Sequence, residues 1–183
     1  MADHSPDWRR HFDALWPTVV GLLDAFGRAT DLPLFVYLDG DLLFSSSEES
    51  MPSFCQTILG SHLRGLCIAD GLMRARGEIP ETEPGMQLCH AGLLNGRKTI
   101  ATGHDGELVL TYGCRVVQSS EARRRRSELA QREDDPEVLS ALEAASGKES
   151  ETSISEAEMA LIDSIVNTIE LLIKSTVTFR TQS

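Results

Sequence analysis

The chain is short of positive charge. Seventeen Lys and Arg stand against 28 Asp and Glu, for a formal net charge of −11. Such a surface repels phosphate, which disfavours nucleic acid and anionic membrane as direct partners. Long apolar runs are missing as well. The most apolar stretch, Met159 to Val177, is broken by Asp163, Asn167, Glu170 and Lys174, so no segment reads as a membrane span. The first ten residues, MADHSPDWRR, are polar and do not read as a secretory leader, and the expectation is a cytoplasmic protein. Thiols stay reduced there, so the four cysteines point to buried thiols, a metal site or a redox site before structural disulfides. No two cysteines have the close spacing of a zinc knuckle, and no Gly-rich phosphate loop, H-E-x-x-H signature or internal repeat occurs.

What is present reads as one domain over residues 1–183: an N-terminal helix (1–28), a mixed core (29–118) and a helical region (119–183). Hydrophobic content of 41% and charged content of 25% are ordinary globular values. Ser5-Pro6-Asp7 is a helix start, followed by an apolar stripe of Trp8, Phe12, Leu15, Val19, Leu22, Leu23 and Phe26. Pro17 is expected to kink or split this helix and Gly27 to end it. The period then changes to strand, Asp39-Gly40 turn, strand. After a polar loop, Ser45 to Pro52, the segment Phe54 to Gly77 reads as one helix with Leu59, Leu63, Leu66, Ala69 and Met73 on its apolar side. A proline-bearing acidic loop, Glu78 to Pro84, leads to three strands: Met86 to Ala91, Arg97 to Gly103 and Glu107 to Val117, with turns at Asn95-Gly96 and Asp105-Gly106. Helices follow from Ser119 to about Glu133 and from Asp135 to near Gly147. A last helix is capped by Ser153 or Ser155, its apolar stripe running from Leu161 to Val177. That stripe suits packing within the fold or a dimerising, signalling helix. The fold class is α+β, a five-stranded antiparallel sheet with helices on one side.

The segment Gly85 to Gly96, G-M-Q-L-C-H-A-G-L-L-N-G, concentrates the candidate chemistry. If it is a regular strand, Leu88 and His90 face one way and Gln87 and Cys89 the other, so one pocket takes Cys89 or His90 but not both, unless a bulge intervenes. On the last strand Leu108, Leu110, Tyr112, Cys114 and Val116 share an apolar face, which points Tyr112 and Cys114 inward together. Four thiols, Cys55, Cys67, Cys89 and Cys114, suit tetrahedral zinc or an iron–sulfur cluster assembled by the fold. They equally suit small buried hydrophobes. A Cys89-His90 nucleophile needs the base within reach of the thiol, and no third orienting group is evident. His62 and His104 read as isolated polar residues. The run Arg123 to Arg126 lies among Glu121, Glu128, Glu133, Asp134 and Asp135 with no aromatic residue to stack on bases, and reads as a solvated face or a contact for an acidic partner.

Taken together, these segments resemble the PocR-type sensory domain, a ligand-sensing module with a PAS/GAF-like fold. L-L-D-A-F-G-R-A-T-D-L-P-L-F-V-Y-L-D-G-D-L-L resembles its opening helix and hairpin. S-F-C-Q-T-I-L and L-R-G-L-C-I-A-D resemble its two cysteine-bearing stretches, and M-Q-L-C-H-A-G-L its most specific motif. E-L-V-L-T-Y-G-C-R-V-V resembles a strand that carries a glycine pair, with Cys114 where the second glycine is common. The resemblance implies that Cys55, Cys67, Cys89 and His90 line or support a pocket, with Phe54, Tyr112 and Cys114 beside them. It implies a non-enzymatic sensor of a small molecule or a redox signal. The terminal helices, Trp8 to Phe26 and Leu161 to Val177, would pair in a homodimer and act on a separate kinase or transcription regulator. The alternatives are a metal- or cluster-bearing redox protein and a thiol enzyme using Cys89.

Overall fold

A computed structural model describes residues 8–30, 32–46, 51–82, 84–103, 106–147 and 154–180. The expected helix start at Ser5-Pro6-Asp7, the turn residue Asp105, His104, Ser153 and the side chains of Trp8 and Val177 lie outside the described residues. The elements run α1 (Trp8–Thr30), β1 (Leu34–Leu38), β2 (Asp41–Ser45), α2 (Ser53–Gly60), α3 (Arg64–Ala75), β3 (Met86–Leu88), β4 (Leu93–Gly103), β5 (Gly106–Val116), α4 (Ser120–Ala130), α5 (Pro136–Ser146) and α6 (Glu156–Arg180). The strands form one sheet in the order β2-β1-β5-β4-β3, antiparallel at every pair. The α+β class and the five-stranded antiparallel sheet expected from the sequence are therefore present.

Local chemistry explains most of the element boundaries. Asp39 and Gly40 both take positive φ, 53° and 88°, as a two-residue hairpin turn needs. Ser119 caps α4 by accepting from the Ala122 amide, and Asp135 caps α5 by accepting from Glu137, with Pro136 at the first helical position. Ser155 opens α6 through a reciprocal box: its Oγ accepts from the Glu158 amide while Glu158 Oε2 accepts from the Ser155 amide.

Five expectations are corrected. Helix α1 passes through Pro17 and Gly27 to Thr30; Pro17 sits on the solvent side, where a lost backbone bond and a gentle bend are tolerated. The single helix expected over Phe54 to Gly77 is two, broken where the Ser61 amide and hydroxyl both bond the Ile58 carbonyl. Its apolar side is also not the inner one. Leu66 and Met73 are 48% and 42% exposed, whereas Gly71, Arg74 and Ala75 are buried. Strand β3 ends at Leu88, and the chain turns at 89–92, not at Asn95-Gly96. Strand β4 runs straight through Gly96, whose missing Cβ leaves room for the Tyr112 ring. Finally, helices cover both faces of the sheet.

One face packs against α1 and α6. Leu34, Val36, Leu108, Leu110 and Tyr112 meet Val19 and Leu23 of α1 and Ile162, Ile165, Val166, Ile169 and Ile173 of α6 in a continuous core. The apolar stripe of α6 is thus largely occupied within the chain, leaving Leu161 and Leu171 exposed. The other face packs against α2 and α5 through Cys55, Ile58, Leu93, Val116, Val138 and Leu142. Among the described residues, no helix is long and apolar enough to cross a membrane.

Candidate functional site

The second face is incompletely filled. Between it and α2–α3 lies a cavity of about 360 Å³. Its walls are Phe35 and Tyr37 of β1, Phe54, Cys55 and Ile58 of α2, and Cys67, Asp70, Gly71 and Arg74 of α3. Cys89, His90 and Ala91 from the turn, Leu93 and Asn95 of β4, and Cys114 of β5 complete it. The fold brings to one cavity all four cysteines, His90 and Phe54. Tyr112 is not among its walls. It lies in the opposite core, with its hydroxyl 3.6 Å from Met159 Sδ, and burial pushes its pKa up to about 12.

Tyr112 and Cys114 part because β5 is bulged. Leu94 pairs with Arg115 and Asn95 with Gly113, so Cys114 is the extra residue. Gly113 and Cys114 take φ of 126° and 66°. Side-chain parity inverts there: Leu108, Leu110 and Tyr112 face α1 and α6, whereas Cys114 and Val116 face the cavity side. Asn95 fixes the bulge, its Oδ1 accepting from the Cys114 amide at 3.2 Å and lying 3.3 Å from the Cys114 thiol.

The Cys-His segment escapes alternation in another way. The Gly92 amide donates to the Cys89 carbonyl and the Cys89 amide to the Leu93 carbonyl, both at 3.0 Å, closing a tight turn. Gly92 has φ of 70°, and a Cβ there would lie 2.4 Å from the Ala122 carbonyl oxygen, so this position needs glycine. Cys89 and His90 both reach the cavity, which corrects the expectation that one pocket takes only one of them. Two arginines of the basic run hold the turn. Arg125 donates to the Leu88 and Cys89 carbonyls, at 2.7 and 3.1 Å, and buried Arg126 donates to the Gly92 and Val117 carbonyls, at 3.0 and 2.9 Å. Half of the run is therefore an internal clamp, not a solvated face; Arg124 remains on the surface, paired with Glu121 and Glu128.

Helix α3 contributes the charged groups. Asp70 Oδ2 accepts from the His90 amide at 2.6 Å and lies 2.7 Å from its Nδ1. Burial works to raise the Asp70 pKa, but the two His90 bonds and the Arg74 charge outweigh it and hold the carboxyl below its ordinary range. Burial pushes Cys89 up to about 11 and Cys67 to about 12. Cys55 donates to Cys114, and that bond with burial raises Cys55; the same bond, aided by Arg74 and Arg115, holds Cys114 below the ordinary thiol value. Arg74 is 6% exposed, and its Nε and Nη2 have no hydrogen-bond partner among the described residues.

Ligand atoms of Asp70, Cys89 and His90 lie within 4.8 Å of one another, a carboxylate–thiol–imidazole set of the kind that suits zinc. Sequence reading missed Asp70, Arg74, Tyr37 and Asn95. The signal available was the polar spacing Cys67, Asp70, Arg74, which puts all three on one side of a helix whose apolar residues lie elsewhere. Of the lone histidines, exposed His62 pairs with buried Glu133 at 3.4 Å, away from the cavity. No family model, no curated protein and no solved structure matches the chain.

Proposed function

We propose that the chain is a non-enzymatic signal sensor, of the PocR type it resembles, that takes a small ligand into the cavity between its sheet and α2–α3. The observation that carries this reading is the convergence of Cys55, Cys67, Cys89, Cys114 and His90, from four separate parts of the chain, on one space of about 360 Å³. That size falls within the roughly 300–1,000 Å³ of small-molecule pockets. A route outward starts beside Cys114: Arg115 bonds Glu158 at the start of α6, on the far face of the sheet, with an Nη2–Oε1 distance of 2.5 Å. A ligand that favours one setting of this strand favours one setting of α6, and thereby of a partner, whether a second copy or a separate kinase or transcription regulator. Exposed Leu161 and Leu171 on α6 suit such a contact. Asp70 is the orienting group a Cys89-His90 nucleophile needs, yet the Cys89 thiol, pushed up to about 11, is the opposite of an activated one, which favours binding over catalysis.

The Asp70–Cys89–His90 set favours a second reading, a bound metal. One preparation separates the two. The protein is purified without oxygen and its absorption spectrum and metal content are recorded. Metal-free protein with no visible absorption is the result expected of the small-ligand reading. Zinc or iron near one equivalent, lost in Cys89→Ser, replaces it with the metal reading. Sedimentation of the protein then tests the relay, and a monomer both with and without the ligand removes the homodimer from it.

A further inference from the structure

Arg74 is the least satisfied charged group described in the molecule. It sits on the inner side of α3, 6% exposed, with Nε and Nη2 lacking any hydrogen-bond partner among the described residues. Buried guanidinium groups are ordinarily paired, because removing the charge from water without compensation is strongly unfavourable. The nearest acid on its helix, Asp70, accepts two bonds from His90 and forms no ion pair with Arg74 among the described residues. The charged side chains in the cavity wall are Arg64, Asp70 and Arg74, so the space is cationic inside a protein of net charge −11.

We propose that the ligand is a small organic acid, bound as its carboxylate by the Nε and Nη2 of Arg74, with its apolar body against Phe35, Phe54, Ile58 and Leu93. The inference rests on the ligand-pocket reading and deepens it. Nε and Nη2 form the side-on fork of a guanidinium, whose two parallel N–H groups match the two oxygens of a carboxylate. His90 Nε2, also buried in the wall without a partner, offers a further polar contact to the same head group. The four named apolar side chains come from β1, α2 and β4 and suit an apolar tail. A guanidinium facing this space also opposes a metal cation there.

The test uses the full chain after chelation of metal. Acetate, butyrate, hexanoate and benzoate are each compared with the matching primary amide, by thermal shift and then calorimetry. At least one acid is expected to bind with one-to-one stoichiometry and about tenfold more tightly than its amide, as a charge-assisted bond pair allows. Arg74→Met is expected to lose this preference for acid over amide, and Arg74→Lys, which keeps the charge without the fork, to retain part of it. Without ligand, Arg74→Met is expected to melt at or above the temperature of the unaltered protein, because it removes an uncompensated buried charge. Amides binding as well as acids, or a preference unchanged in Arg74→Met, overturns the carboxylate while leaving a ligand pocket in place. Binding of neither series overturns both readings. Melting of Arg74→Met below the unaltered protein shows a structural arginine and overturns the proposal.

Discussion

The two faces of the sheet follow opposite rules although the same strands supply both. Against α1 and α6, Leu34, Val36, Leu108 and Leu110 are fully buried among aliphatic neighbours. Against α2 and α3, Phe35, Asn95, Cys114 and a buried arginine surround open space. Close packing stabilises; an unfilled cavity does not. The difference gives one face a close-packed core and leaves the other an open space, divided by side-chain parity.

The sharpest way to break this division is to cut into each face. Leu110→Ala is expected to destabilise by about 3–5 kcal/mol in urea unfolding, because it empties a close-packed site. Cys67→Ala, on a wall already next to open space, is expected to cost under about 1 kcal/mol. Equal losses would remove the division. Next in size is the clamp behind the cavity. Arg126→Met leaves the Gly92 and Val117 carbonyls without their donor and is expected to cost about 2–3 kcal/mol, whereas surface Arg124→Met leaves the unfolding midpoint unchanged. Gly113→Ala adds a Cβ 2.9 Å from the Leu94 carbonyl oxygen at φ 126° and is expected to cost about 1–3 kcal/mol while altering the reactivity of Cys114.

Acid supplies a smaller effect. The Asp70 carboxyl is held below its ordinary value of 3.8, so its folded form binds a proton less readily than its unfolded form. Its contribution is present above that value and is lost as pH falls through the lower, folded one. Asp70→Asn is therefore expected to flatten the acid limb of the stability curve below about pH 4, measured by urea midpoints across pH. Smallest of all is the response of the thiols at neutral pH. With Cys89 pushed up to about 11 and Cys67 to about 12, alkylation by iodoacetamide followed by mass spectrometry is expected to be slow for both at pH 8 and to quicken only in strong alkali.

The packed face was legible because it obeys a period. Leu108, Leu110 and Tyr112 alternate, α6 repeats at helical spacing, and Ser119, Asp135 and Ser155 mark helix starts by short-range hydrogen bonds. The cavity face resisted because each decisive feature breaks a period. Cys89 and His90 converge only because Gly92 closes a turn against Ala122, thirty positions later in the chain. Asp70 and Arg74 occupy the inner side of a helix whose Leu66 and Met73 lie outside, so the hydrophobic pattern marked the wrong side. Arg125 and Arg126 looked solvated because their acceptors are carbonyls, which carry no signature in side-chain sequence. All four cysteines were singled out as a group, but which tyrosine joined them, Tyr37 and not Tyr112, depended on a single inserted residue.

That inserted residue makes β5 a strand with two reading frames. Before Gly113 even positions face the packed core; after it odd ones do, and Arg115 consequently meets Glu158 on α6. The frame boundary coincides with the wall of the cavity, so straightening β5 with Cys114 kept as a paired residue would not merely move a thiol. It would restore one frame throughout, aiming Cys114 and Val116 at α6 and swinging Arg115 to the cavity side. One backbone dislocation thus decides both what the cavity presents and which helix is tethered behind it.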